Sequence, residues 1–94
     1  SLFRGKHVLV VDPSEPQRRL LAAHAHAWGM QPLAFASAAE ALAGIREVSV
    51  DVALVDTLLP DERAAALVHA LRGARIPVIL LVPFSRRSFG PGLE

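Results

Sequence analysis

The chain contains no cysteine, which excludes disulfides and thiolate metal centres and fits a reducing compartment. An excess of charge of either sign is also missing, since the formal net charge is +1. The basic residues occur as scattered pairs, Arg18 with Arg19 and Arg86 with Arg87, with no interleaved aromatics. A nucleic-acid surface is therefore not expected. Long hydrophobic runs are absent: "VILLV" (78–82) is far shorter than the roughly 20 residues of a membrane span. The opening "SLFRGK" lacks the apolar region of a signal peptide, and no glycine-rich phosphate loop occurs. What remains is a cytoplasmic domain without membrane contact.

Ninety-four residues suit one domain, with only roughly 60 to 65 % of the unfolded surface buried. The 52 % apolar content overstates the core, because sixteen residues are alanines. Alanine favours helix and adds little burial, so Leu, Val, Ile, Phe and Trp28 must supply most of the driving force.

Two short stretches stand out. "HVLVVDPSEP" (7–16) and "DVALVDTLLP" (51–60) each climb through aliphatic residues to a single aspartate, Asp12 or Asp56. Continuous aliphatic runs predict parallel strands buried on both faces. Residues 15–28 predict a helix that starts at Glu15 and Pro16, carries Leu20, Leu21, His24 and Trp28 on its core face, and stops at Gly29. "PLAFA" is a weaker strand, and Ser37 with Glu40 forms a capping box for the next helix. "VALVD" is the third strand, "DERAAALVHALR" the third helix with Gly73 as its stop, and "IPVILLV" the fourth strand. The alternation predicts an α/β fold with a parallel sheet, right-handed crossovers and helices on both faces. The ordered pattern covers 6–83, and 84–94 is expected to be a loose tail of the same single domain, 1–94.

Open parallel sheets bind ligands outside the carboxyl ends of their strands, where strand order reverses. If the first and third strands are neighbours, in the order 2-1-3-4, Asp12 and Asp56 end about 5 Å apart and can share one hard cation. Their mutual repulsion otherwise calls for a basic side chain or a raised pKa. An isolated aspartate at a strand end is more commonly a turn or helix-capping residue. His24 and His26 are two apart, so one cation cannot bind both. His24 is expected as a buried core histidine, Trp28 as helix-to-sheet core, and His26 and His69 as solvent-facing.

"VLVVD", a helix with "RRLL" and "WG", "DVALVD" with a proline four residues on, and "IPVILLV" together resemble the receiver domain of two-component response regulators and hybrid histidine kinases. The resemblance covers roughly residues 6–83 and implies a flavodoxin-like three-layer fold. It makes Asp56 the phosphoacceptor, served by a histidine kinase with Mg²⁺ assistance. It also implies a metal site from Asp12, Asp56 and the backbone carbonyl of Leu58. The chain departs from that pattern. Pro13 stands where a second acid is usual, Val82 where a Thr or Ser hydroxyl is usual, and "DERAA" follows Pro60 in place of a glycine-rich loop. The usual lysine, fifth strand and fifth helix do not appear. The expectation is a degenerate, C-terminally truncated receiver, with a hybrid histidine kinase as one parent. It would regulate through contacts with a histidine kinase or another receiver domain, and Mg²⁺ would bind weakly.

The alternative is a purely structural or interaction pseudo-receiver with no phosphorylation. An aspartate-nucleophile phosphatase is disfavoured, since neither Asp12 nor Asp56 has a second acid two residues on. Without a fifth strand, the apolar fourth strand becomes a sheet edge, which predicts cover by the tail or by a second copy in a homodimer.

Overall fold

The computed structural model describes residues 2–82. Its elements are β1 (His7–Val11), α1 (Glu15–Ala27), β2 (Gln31–Phe35), α2 (Ala38–Gly44), β3 (Val52–Asp56), α3 (Ala64–Gly73) and β4 (Val78–Leu81). The four strands form one parallel sheet in the order β2-β1-β3-β4. The expected tail falls outside the described residues.

β1 is central, and its aliphatic run divides by the two-residue period of a strand. Leu9 and Val11 face the larger core layer with Ala38, Ala41, Leu67 and Leu71 of α2 and α3. Val8 and Val10 face a smaller layer with Ala25 of α1.

α1 begins at Ser14, whose hydroxyl accepts the Gln17 N–H, and Pro16 sits in its first turn where no donor is required. Its core face corrects the expectation. His24 is exposed, Leu20 is 53 % exposed and Trp28 62 %. The residues turned to the sheet are Arg18, Leu21, Ala22 and Ala25. Leu20–His24–Trp28 and Leu21–Ala25 are adjacent ladders on one helix, about 100° apart. The second ladder faces the sheet, where the small Ala25 is buried against Val8 and Val10. Trp28, at the C-cap, instead meets Phe3, with ring centroids 5.4 Å apart.

α2 starts as expected: the Ser37 hydroxyl accepts the Glu40 N–H and donates to its carboxylate. Gly44 at its end lies so close to Phe35 of β2 that a Cβ would collide with the ring. α3 begins three residues later than the "DERAAALVHALR" pattern predicts, and Asp61 explains the difference. Its two carboxylate oxygens accept the N–H groups of Ala38 and Ala39, at 3.2 and 3.1 Å. The loop after β3 thus caps α2, and α3 starts with no side-chain cap.

Among the described residues, α1 is alone on the other face, and a groove of about 280 Å³ is left over β3 and β4, lined by Phe3, Leu21, Trp28, Met30, Leu54 and Ile79. Among the described residues, β4 is an edge strand with Ile79 and Leu80 exposed, one on each face, and Val82 exposed beyond it. No helix among the described residues is long and apolar enough to cross a membrane.

Candidate functional site

The parallel register pairs Val11 with Val55, so the next residues, Asp12 and Asp56, stand side by side at the carboxyl edge of the two central strands. Asp12 is 2 % exposed and Asp56 9 %, and they are the only buried charged side chains among the described residues. Buried charge is tolerated only with compensation, and the structure shows its sources.

Asp12 closes a local turn in which Oδ1 accepts the Ser14 N–H at 2.8 Å. Asp56 repeats the device, its Oδ1 accepting the Leu58 N–H at 2.7 Å. Each carboxylate therefore has one oxygen committed to the turn after its strand. Burial pushes the Asp12 carboxyl above its ordinary value. The Ser14 N–H pulls it back, the charge of Asp56 and a hydrogen bond with its carboxylate raise it further, and the Arg18 guanidinium lowers it. Arg18, half-buried in the first turns of α1, donates from Nη1 to the Asp12 carbonyl oxygen at 2.8 Å.

The remaining positions flank this pair. Pro13 and Leu58 are exposed in the loops after β1 and β3. Val82 directly follows β4 and is 74 % exposed. Thr57, unremarked in the sequence, brings a hydroxyl to the same edge, where both its N–H and its Oγ1 donate to the Leu81 carbonyl. Beside Asp56, a recess of about 290 Å³ runs along Thr57, Ala64, Ala65, Val68 and Leu80.

Among the described residues, no three or more His, Cys, Asp or Glu side chains come together as metal ligands. The acidic donors at this edge are therefore two carboxylates, a set that Mg²⁺ accepts when carbonyls and waters complete its octahedron. The chain fits such an ion with few protein ligands. Two contacts around the site escape a reading of the sequence, Arg18 to the Asp12 carbonyl and Asp61 to the start of α2. The first spans six residues across the start of α1 and the second 23.

No family model and no curated protein matches the chain by sequence. Solved structures do match. A response regulator protein from Thermotoga maritima, in complex with Mg²⁺-BeF, is 26 % identical over 88 % of this chain and 75 % of its own, with a TM-score of 0.74. A response regulator receiver domain from Francisella is 26 % identical over 95 % of this chain and 76 % of its own, TM-score 0.72. A response regulator receiver protein from Pseudomonas putida is 19 % identical over 89 % of this chain and 73 % of its own, TM-score 0.75. With four parallel strands in the order 2-1-3-4 and three crossover helices among the described residues, the chain has the flavodoxin-like fold of response-regulator receiver domains.

Proposed function

We propose that the domain is a receiver-like module of two-component phosphorelay signalling, with Asp56 in the phosphoacceptor position of a site that handles Mg²⁺ and phosphoryl groups poorly. The observation that carries this is the buried acid pair at the carboxyl ends of adjacent β1 and β3. In the transfer, a carboxylate oxygen of Asp56 attacks the phosphorus of a phosphohistidine, the P–N bond breaks, and the imidazole leaves with the bond electrons. A bound Mg²⁺ would neutralise charge on the phosphoryl oxygens, and Asp12, Asp56 and the Leu58 carbonyl are the groups that would hold it.

The chain's own residues assist little. Pro13 supplies no carboxylate and its ring stiffens the loop after β1. Val82 offers no hydroxyl to meet the phosphoryl oxygen, and the Thr57 hydroxyl is already bonded to the Leu81 carbonyl. Phosphoryl transfer depends on positioning and charge neutralisation, so each loss weakens it. The domain then acts mainly by docking on a histidine kinase or another receiver within a larger regulator or hybrid kinase. The second reading, an interaction module never phosphorylated, is favoured by the exposed Ile79, Leu80 and Val82 at the β4 edge. The same edge suits a homodimer.

Beryllium fluoride with Mg²⁺ tests the site by NMR. The Leu58 amide, bonded to Asp56, is the reporter of choice. Trp28 is unsuitable, because α1 runs back from the acid pair and ends at the opposite edge of the sheet. Small, unsaturated shifts at Leu58 are expected; full conversion to a new set of loop resonances would contradict a degraded site.

A further inference from the structure

The acid pair already has a cation beside it. The two adjacent arginines of α1 differ in what they do. Arg19 makes an i,i+4 ion pair with Glu15 in which both side chains are largely exposed, at 79 % and 60 %, and such pairs contribute little. Arg18 is half-buried and folds back across the first turn of α1 to the Asp12 carbonyl. That hydrogen bond anchors a permanently charged guanidinium at the rim of a site with two buried carboxylates and, among the described residues, no other basic side chain acting on Asp12.

We propose that Arg18 is the resident counter-ion of the Asp12–Asp56 pair and sets its affinity for divalent cations. This rests on reading the pair as a cation and phosphoryl site. With Arg18 in place the net formal charge of the three groups is −1 in place of −2 when both carboxylates are ionised. An arriving dication gains less attraction and is repelled by the guanidinium. Arg18 cannot replace the missing acid at Pro13 as a ligand, because its protonated guanidinium has only donors and no lone pair to offer a metal ion. It acts through its charge, offsetting part of the repulsion within the pair. A unit charge held at the rim of the pair changes the binding of a dication by roughly tenfold to hundredfold.

Mn²⁺ is a suitable probe, since electron paramagnetic resonance counts the free ion directly. Three chains are compared: the wild type, Arg18→Gln, which is neutral, and Arg18→Lys, which keeps the charge. Arg18→Gln is expected to bind Mn²⁺ at least about tenfold more tightly than wild type, Arg18→Lys to stay near wild type, and Arg18→Gln with Asp12→Asn to lose the gain. Thermal melts establish that each variant is folded. If folded Arg18→Gln binds no more tightly than wild type, or Arg18→Lys tightens equally, the counter-ion role is overturned while Asp56 can still be the phosphoacceptor. If neither wild type nor Arg18→Gln binds Mn²⁺ at all, the proposal and the cation-site reading both fail.

Discussion

Replacing Asp12 by asparagine should stabilise the domain at neutral pH, an unusual outcome for a residue 2 % exposed. The Asn Oδ1 can still accept the Ser14 N–H, now bonded at 2.8 Å, while its NH₂ can donate to the Asp56 carboxylate in place of a like charge. Exchanging that repulsion for a hydrogen bond to a charged acceptor contributes about 1 to 2 kcal/mol. The pH dependence fixes the sign. The folded-state pKa of Asp12 is raised above the ordinary 3.8, chiefly by burial. The fold therefore favours the protonated form, and this group's contribution is fully present below the unfolded value. It is lost as pH rises through 3.8 and the raised folded value. Asp12→Asn removes that loss, so its advantage should be largest near neutral pH and shrink on acidification. For a domain of this size 1 kcal/mol moves Tm by about 4 to 8 °C. Thermal melts of both proteins in chelator from pH 7 down to the carboxylate range measure the difference. A lower Tm for Asp12→Asn at pH 7, or a gain independent of pH, would refute the reasoning.

Asp61→Ala should cost about 1 kcal/mol, the usual value of a helix cap, and urea melts should show it with amide exchange quickening first at Ala38 and Ala39. Gly44→Ala should destabilise by about 1 to 3 kcal/mol, because the new methyl must displace the Phe35 ring; a neutral result in the same melts would mean β2 yields easily. His24→Leu should change stability by no more than about 0.5 kcal/mol, as expected for an exposed site. If the β4 edge mediates self-association, Ile79→Lys should shift sedimentation toward the monomer without lowering Tm appreciably, since Ile79 is 51 % exposed.

The strand pattern was legible because a continuous aliphatic run ending in a charge has few other homes. That is why the sequence pattern alone points Asp12 and Asp56 to one sheet edge. The face of α1 was not legible. Leu20, His24 and Trp28 form as good a ladder as Leu21 and Ala25, and the sheet chose by the closeness that Ala25 permits. The start of α3 was misplaced for a related reason. Asp61 looks like a first-turn acid of its own helix, yet it caps α2 across 23 residues of chain. Arg18 likewise looks like half of a solvated pair until the fold brings it over Asp12. Local propensity and period carry the elements, whereas contacts between distant groups need the fold first.

The central claim is that Asp56 occupies the phosphoacceptor position of a site too poorly equipped to use it well. Intact-mass spectrometry after incubation with a small-molecule phosphodonor and Mg²⁺ tests it most directly, with Asp56→Asn as the control. The account predicts a minor phosphorylated fraction that disappears in the control. Stoichiometric phosphorylation at Asp56 with a Mg²⁺ dependence in the millimolar range or tighter would contradict it.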